Sequence, residues 1–171
     1  MSKRKWVERK FEFGLSQDEF SNLINRLKET PEKIEQLTYS VSPKILTKRI
    51  DDSWSIQEHI GHIIDLEELH VGRIDDFTNK AKELRAADMT NKKTHEADHN
   101  QKGIAKLLQE LRTTREKLIN RMGELDDSIL SHVSIHPRLN QPMKPVDMAK
   151  FIVEHDVHHI NSIIELTEQL S

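Results

Sequence analysis

The sequence has no cysteine, few glycines and prolines, and no long apolar run. Without cysteine there are no disulfides, thiolate ligands or cysteine nucleophiles, so a metal site would have to use nitrogen and oxygen ligands. Five glycines and five prolines in 171 residues are too few for many tight hairpins. Charged residues make up 32% of the chain. This composition favours long amphipathic helices and predicts an all-α protein.

Charge and hydropathy indicate the cellular location of the protein and whether it binds membranes or nucleic acid. No apolar stretch approaches the roughly 18 residues of a membrane span, and the basic opening MSKRKWVERK lacks the apolar run of a secretory signal. We therefore expect a cytoplasmic protein with no membrane partner. The net charge is −3 and the charges are mixed, so only this opening favours nucleic-acid binding. We interpret residues 1–15 as a solvated basic extension and residues 16–171 as one helical domain.

The first predicted helix begins near Ser16. Glu19 follows three residues later, which is a capping-box pattern, and apolar residues then recur at helical spacing through Leu37. Pro31 interrupts this pattern. The helix either kinks there or restarts with Thr30 as its N-cap, and the sequence leaves both alternatives open.

Three further helices follow from the same periodicity. The second runs from about Ser55 to Phe77, with Ser55 and Glu58 forming a capping box. The third lies within residues 102–125, and the fourth runs from about Pro145 to Leu170. Residues 78–100 are predicted to be a loop with at most a short helical turn, and residues 128–145 an extended crossing. Four long helices with one long connection predict a four-helix bundle.

Histidines on the apolar faces of two predicted helices are the candidate functional residues. His155 and His159 are four residues apart on the apolar stripe of the last helix, so both should point into the bundle. This spacing suits one divalent metal. The second helix offers a third ligand, for which periodicity favours His62 over His59, whereas His70 should turn outward. His158 lies off the inner stripe.

The remaining histidine pairs at the same spacing serve as a comparison. His132 and His136 are four apart, as are His95 and His99, but neither pair lies on a clear apolar helix face. We interpret them as structural. The alternative for the inward histidines is that they are core residues hydrogen-bonded to each other or to water.

The motifs WSIQEHIGHI (54–63), HPRL (136–139) and EHDVHHINSI (154–163) resemble those of the DinB/YfiT family of four-helix metalloproteins. The resemblance spans about Ser16 to Leu170. It implies an up-up-down-down type of bundle with long crossovers, often dimeric. It also implies His62, His155 and His159 as the ligands of one divalent metal ion. A site made of histidines alone fits zinc, nickel, iron or cobalt, and of these we expect zinc or nickel.

The reaction stays open at this point. Members of the family include thiol-dependent enzymes, such as mycothiol-dependent maleylpyruvate isomerase and bacillithiol transferases, and proposed hydrolases. The resemblance thus implies a small-molecule substrate, a metal-dependent hydrolase or a transferase using a low-molecular-weight thiol, and a homodimer. The alternative is a non-catalytic module, in which the histidines hold a structural metal or none and the bundle only dimerises or binds a ligand. A metal site closed by a fourth ligand, such as His59, would support this alternative.

Polar residues near the predicted ligands have simpler interpretations. Glu58, Asp65, Glu154 and Asp156 lie close in sequence to the predicted ligands and are candidate general bases, but none is assigned a catalytic role. Glu58 should be a capping residue, Asp65 could orient an imidazole, and Asp156 is expected to be exposed. Trp54 should pack over the start of the second helix. Residues 87–100 could wall the site through Asn91, Thr94 or His95, but a solvated loop is favoured. Residues 112–117 should form an exposed helical face.

Overall fold

In a computed structural model of the chain, residues 5–171 are described, and within them there are seven α-helices and one small sheet. Four long helices form the bundle: α1 (Phe20–Thr38), α3 (Ile56–Thr78), α5 (Ile104–Gly123) and α7 (Pro145–Leu170). Three short helices lie in the connections: α2 (Pro43–Leu46), α4 (Lys92–Glu96) and α6 (Asp127–Leu130). The predicted all-α four-helix bundle is confirmed.

The sequence predicts how three of the long helices begin, and the structure confirms the predicted start for α3 and α7 but not for α1. Ser55 caps α3 and forms the predicted capping box with Glu58, and α7 begins at Pro145. The capping box predicted at Ser16 is wrong. Ser16 instead accepts a hydrogen bond from the Asp18 N–H and begins the 3-10 turn Gln17–Glu19, after which α1 starts.

Helix α1 continues through Pro31 and does not restart there. A proline lacks the N–H that would bond the carbonyl four residues earlier, which here belongs to Leu27. In this protein the Arg115 guanidinium donates to that carbonyl oxygen at 2.9 Å. A side chain from a neighbouring helix therefore replaces the missing hydrogen bond and allows the helix to continue.

Contacts between the helices fix their directions. Glu67 and Asp75 of α3 bond Arg115 and Arg121 of α5, so these two helices run parallel. Helices α3 and α7 are antiparallel, because His59 contacts His159 whereas His62, later in α3, contacts His155, earlier in α7. Helix α1 is parallel to α7 and antiparallel to α5. The order is therefore up, down, down, up, which corrects the up-up-down-down order implied by the resemblance.

Parallel neighbours need a connection that returns along the bundle, and residues 79–103, which we call the crossover, provide it between α3 and α5. It contains α4 and the 3-10 turn His99–Gln101. The segment between α5 and α7 was predicted to be extended, and it holds α6 and the antiparallel strands β1 (Ser134–His136) and β2 (Gln141–Met143). A bridge between Glu83 and Ile135 joins the two connections.

The core has two apolar halves with a polar layer between them. One half includes Leu27, Phe77 and Ile152, and the other includes Ile34, Ile63 and Leu111. Between these halves each long helix contributes buried polar side chains: Thr30, Glu67, His70, Arg115, His155, Asp156 and His159. Polar groups in such a position require partners, and those partners shape the site described below.

The basic N-terminal segment differs from the predicted solvated tail. Its residues 1–4 lie outside the described part of the chain. Trp6, Phe11, Phe13 and Leu15 are partly buried against the core, and the backbone N–H groups of Gly14 and Leu15 donate to Asp147. Residues 5–15 thus pack on the bundle, and the division into an extension and a domain at residue 16 stays a prediction.

No helix in the described part of the chain combines the length and apolarity of a bilayer crossing.

Candidate metal site

The first turn of α3 is held firmly, which positions the side chains that follow it. Ser55 and Glu58 cap each other's backbone N–H groups, and Glu58 also forms an ion pair with Arg49. Trp54, just before the cap, lies 4.7 Å from His62 between ring centroids. It was predicted to pack over the helix start, and it also covers the histidines.

His62, His155 and His159 come together inside the bundle and are 6%, 5% and 4% exposed. Their ring centroids lie 4.4 to 5.2 Å apart, and the Nε2 atoms of His155 and His159 are 3.0 Å apart. One nitrogen of each residue lies within 4.8 Å of the others. Among residues 5–171 this is the one group of three or more histidine or acidic side chains with a geometry able to hold a metal ion.

The environment keeps these imidazoles neutral. Burial, together with the charges of neighbouring histidines, lowers the pKa of His62 to about 4, while Asp65 opposes the shift. Burial also holds the pKa values of His155 and His159 well below the usual range. Because only a neutral imidazole has a free lone pair, all three side chains are ready to bind a metal near neutral pH.

A short hydrogen-bond chain orients His62. The Thr94 hydroxyl donates to Asp65 Oδ2 at 2.9 Å, so it must accept from His62 Nδ1–H, 3.1 Å away. This leaves the Nε2 lone pair of His62 unprotonated. His99 Nε2 donates to the same carboxylate at 2.8 Å. Asp65 therefore orients an imidazole, as the sequence suggested, but it does so through Thr94.

The crossover reaches α3 because residue 61 is a glycine. A Cβ atom at Gly61 would lie 2.2 Å from the His99 ring, so a larger residue would push the ring away. Close contact at this point lets His99 reach Asp65 and brings Thr94 to His62. The 87–100 segment was expected to be a solvated loop, and this expectation is wrong for Thr94 and His99, both of which are buried.

His59 contacts His159 on the side of its ring that faces away from His155. Its Nδ1 lies 2.8 Å from His159 Nδ1, whereas the Nε2 of His159 faces His155. The two nitrogens of an imidazole lie on opposite sides of its ring. His59 is thus placed to orient His159, in the way that an outer hydrogen-bond partner orients a metal ligand.

The geometry fits a divalent transition metal. Tetrahedral zinc with bonds of about 2.0–2.1 Å would place two nitrogens about 3.3 Å apart, close to the 3.0 Å between His155 and His159. The Nδ1 atoms of His62 and His159 already have partners, so their Nε2 atoms can serve as ligands. Three nitrogen donors suit zinc, nickel, iron and cobalt alike.

The three histidines line one cavity of about 390 Å³, which we call the histidine cavity. A volume of this size suits a small molecule. Its other walls come from the N-terminal segment, the crossover, the β-hairpin and α7, and they include Trp6, Trp54, Met89, Asn91, Phe151 and His158. The site is therefore open on one side to a space that a substrate could enter.

Several sequence predictions about nearby residues are wrong. His70 was expected to turn outward and Asp156 to be exposed, but both are buried. Arg115 was assigned to an exposed face, yet it is 2% exposed and bonds Glu67 and Asp156. A buried ion pair places charged residues on the inner face, where periodicity alone expects apolar ones.

The four candidate bases all have structural partners. Glu58 caps α3 as predicted, Glu154 pairs with Arg9, and Asp156 accepts from Arg115 and Thr30. Asp65 holds Thr94 and His99. None of the four lines the histidine cavity.

Some cavity residues were missed by the sequence analysis. Trp6 lies in a segment interpreted as a tail, and its ring is 5.0 Å from that of His155. Arg73 lies 11 residues after His62, which is three helical turns along the same face, and this spacing could have revealed it. His136 was interpreted as structural and also lines the cavity.

Comparisons with known proteins agree with the fold. The sequence profile of the DinB superfamily matches residues 26–163. A search of curated proteins finds no significant match. Among solved structures the chain is similar to YfiT from Bacillus subtilis, with a TM-score of 0.80 and 21% identity over 95% of this chain and 93% of that one. That protein is described as a probable metal-dependent hydrolase with an unusual four-helix bundle topology.

Proposed function

The chain belongs to the DinB superfamily, and on that premise we propose that it is a metal-dependent hydrolase acting on a small molecule. The observation that carries the proposal is the convergence of three buried, neutral imidazoles from two helices at one wall of the histidine cavity. The description of YfiT as a probable metal-dependent hydrolase supports the same reaction class.

We assign His62, His155 and His159 as the metal ligands. A divalent ion held by three neutral imidazoles keeps its full charge and supplies a Lewis acid that can activate water near neutral pH. The chain itself contributes orientation: Thr94 and Asp65 fix His62, and His59 supports His159. The rings of Trp6 and Trp54 cover the histidines and limit access of bulk water.

The alternative is a binding module whose metal site is closed by a fourth ligand. His59 was the candidate for that role, but it contacts His159 Nδ1, on the far side of the ring from His155. This position supports a three-ligand site with an open face. A homodimer and a cytoplasmic location stay predictions.

The metal assignment is tested by elemental analysis of protein purified without an affinity tag. We expect about one transition metal ion per chain in the wild type and less than about a tenth of that in His155→Ala and in the triple variant of His62, His155 and His159. His132→Ala, which changes a histidine outside the group, should keep its metal. Full retention of metal by His155→Ala, with its helical circular dichroism unchanged, would refute the ligand set.

The reaction is tested with panels of esters and amides, assayed with and without an added low-molecular-weight thiol. Hydrolysis that needs the metal and no thiol supports the proposal. Turnover that depends strictly on the thiol would identify a transferase instead. A metal-loaded protein with no turnover in either assay would favour the binding module.

A further inference from the structure

The histidine cavity extends well beyond the three histidines. His62, Leu66, Leu69, His70 and Arg73 line it from one face of α3. With a rise of about 1.5 Å per residue, the Cα atoms of His62 and Arg73 are about 16 Å apart. The cavity therefore has two ends. The second end is lined by Arg73, His136 and Arg138.

Arg73 is a buried cation, and among residues 5–171 no carboxylate forms an ion pair with it. It is 2% exposed, and its Nε donates to the Arg85 carbonyl oxygen at 3.1 Å. Asp76, whose charge acts on Arg73, is held by Arg85 through both carboxylate oxygens. Burial, together with Arg138 and Arg85, lowers the pKa of Arg73 to about 10, so it is still charged near pH 7.

Arg138 adds a second positive charge. It is half-buried on the turn between β1 and β2, and its Nη1 reaches the Val7 carbonyl oxygen at 3.4 Å. Within residues 5–171 neither Arg73 nor Arg138 has a carboxylate at ion-pair distance, whereas Arg115, the other fully buried arginine, has two. A buried cation without a partner is costly unless a ligand supplies the opposite charge.

Two imidazole nitrogens around the same space also lack partners. His136 Nδ1 accepts from the Leu139 N–H at 3.2 Å, so its proton lies on Nε2, which is buried and has no hydrogen-bond acceptor. His70 Nδ1 is likewise buried without a partner. Both residues line the cavity. Buried polar atoms in folded proteins are nearly always paired, so these two nitrogens, unpaired within residues 5–171, are available to a polar group bound in the cavity.

Acidic groups hardly contribute to this cavity. Of its lining residues in the described part of the chain, Asp88 is the one with a carboxylate. That carboxylate accepts hydrogen bonds from Thr90 and from the Lys92 backbone. The electrostatic field at the second end is therefore set by the arginines and favours an anion.

We propose that the Arg73, His136 and Arg138 end of the cavity binds an oxyanion, a carboxylate or a phosphate, carried by the substrate. Arginine forks match the oxygens of either group, and the His136 Nε2–H supplies a further donor. The placement of the reacting bond near the three histidines rests on the proposed function, but binding of the anion does not. The distance between the two ends requires a substrate several bonds long.

Anion binding is tested on the full chain after metal removal by a chelator, at low ionic strength. Acetate and inorganic phosphate are titrated separately and followed by tryptophan fluorescence, because both tryptophans of the chain line the cavity. We expect saturable binding of at least one anion, weakened about 10-fold or more in Arg138→Gln and largely restored in Arg138→Lys. The anion that binds more tightly identifies the substrate group.

Arg112→Gln is the matched control, since Arg112 is a part-exposed arginine paired with Glu35 outside the cavity. Circular dichroism and thermal melting check that each variant folds, and His136→Gln provides a second variant should Arg138→Gln melt early. No saturable binding in the wild type, or equal weakening in Arg112→Gln, would overturn the proposal.

A second measurement links this end to catalysis. The metal-loaded enzyme is assayed with 4-nitrophenyl hydrogen suberate, whose chain is long enough to reach towards the second end, and with the neutral 4-nitrophenyl octanoate. The ratio of their kcat/KM values should fall about 10-fold in Arg138→Gln and stay constant in Arg112→Gln. Anion binding without hydrolysis of either ester would support the anion site and reject the hydrolase. An unchanged ratio of kcat/KM values in Arg138→Gln would show that the anion site does not determine substrate specificity.

Discussion

Thr94 is the residue through which the crossover acts on the candidate metal site. It links His62 to Asp65, and such outer hydrogen bonds fix both the ring orientation and the proton position of a ligand. The sequence indicates roles for His62 and Asp65 separately, but it does not show that Thr94 joins them. The importance of Thr94 thus depends on geometry.

We predict that Thr94→Val weakens metal binding about 10- to 100-fold, because His62 loses the acceptor that holds its Nδ1 proton. Competition with a chromophoric chelator measures the affinity. Thr38→Val is the control, since Thr38 is also buried but bonds only backbone carbonyl oxygens of its own helix. Equal affinities of Thr94→Val and the wild type would remove Thr94 from the orienting chain.

His136 should make stability depend on pH. Burial, together with the charges of Arg73 and Arg138, lowers its pKa to about 4, whereas in the unfolded chain its pKa is about 6.5. Between these values the unfolded chain binds the extra proton. The stability contribution is therefore complete above about pH 6.5 and falls as the pH drops towards 4, by up to about 1.4 kcal/mol per pH unit.

His136→Asn keeps an acceptor for the Leu139 N–H but removes this titration. Urea unfolding of metal-free protein at several pH values should give a shallower loss of stability for the variant than for the wild type. Other buried histidines contribute equally to the pH dependence of stability in the wild type and in the variant. The difference between the two pH dependences therefore isolates His136. The exposed His95→Asn control should match the wild type, and parallel slopes for His136→Asn would contradict the prediction.

At the scale of single elements, the start of α3 joins the bundle to the crossover. The Ser55 hydroxyl accepts from the Glu58 N–H at 3.2 Å and donates to Asn100 Oδ1 at 2.6 Å. One side chain thereby caps the helix that carries His62 and holds the segment that carries Thr94. Loss of this hydroxyl affects both at once.

Ser55→Ala should lower the free energy of unfolding by about 1 kcal/mol, within the 0.5–2 kcal/mol range of lost N-caps. Amide hydrogen exchange should increase both in the first turn of α3 and in residues 99–101. Ser131→Ala removes an exposed hydroxyl that bonds its own helix turn and should change neither quantity. Faster amide exchange confined to α3 would show that the contact with Asn100 does not hold the crossover.

At the scale of the whole molecule, the polar layer between the two apolar halves joins all four long helices. Arg115 of α5 bonds Glu67 of α3, Asp156 of α7 and the Leu27 carbonyl of α1. Thr30 donates to Asp156 at 2.7 Å. Burial raises the pKa of Glu67 despite Arg115, and one oxygen of Glu67 has no partner, so the layer is imperfectly compensated.

We predict that Arg115→Met destabilises the fold by about 3–5 kcal/mol, because it leaves two buried carboxylates without a cation. Replacing Glu67 and Asp156 by leucine in the same chain should recover part of that loss. Arg121→Met is the control, since its pair with Asp75 is part-exposed and is worth at most about 1 kcal/mol. Denaturant titration measures the free energy of unfolding of all three variants. A decrease below 1 kcal/mol in Arg115→Met would contradict the role of the layer.

The sequence predicts the four long helices well because their apolar stripes and caps are local. Ser55, Glu58 and Pro145 stand where the patterns place them. The inward direction of His155 and His159 follows from the same periodicity. Ion pairs across helices are not local, so Arg115 and Asp156 were assigned to the surface. The packing of the crossover onto α3 also depends on tertiary contact, so the sequence offered Thr94 as a possible wall of the site but did not show its contact with His62. The residues at the anion-binding end of the cavity lie far apart in sequence.

The polar layer also determines how the helices align lengthwise. Apolar stripes of similar side chains would tolerate a slide of one helical turn, about 5.4 Å, with modest loss of packing. Such a slide would separate Arg115 from Glu67, Asp156 and the Leu27 carbonyl together. The layer therefore selects one register among several that hydrophobic burial alone would permit. His62, on α3, meets His155 and His159, on α7, only in that register, so a network without any predicted catalytic role decides whether the metal site can form.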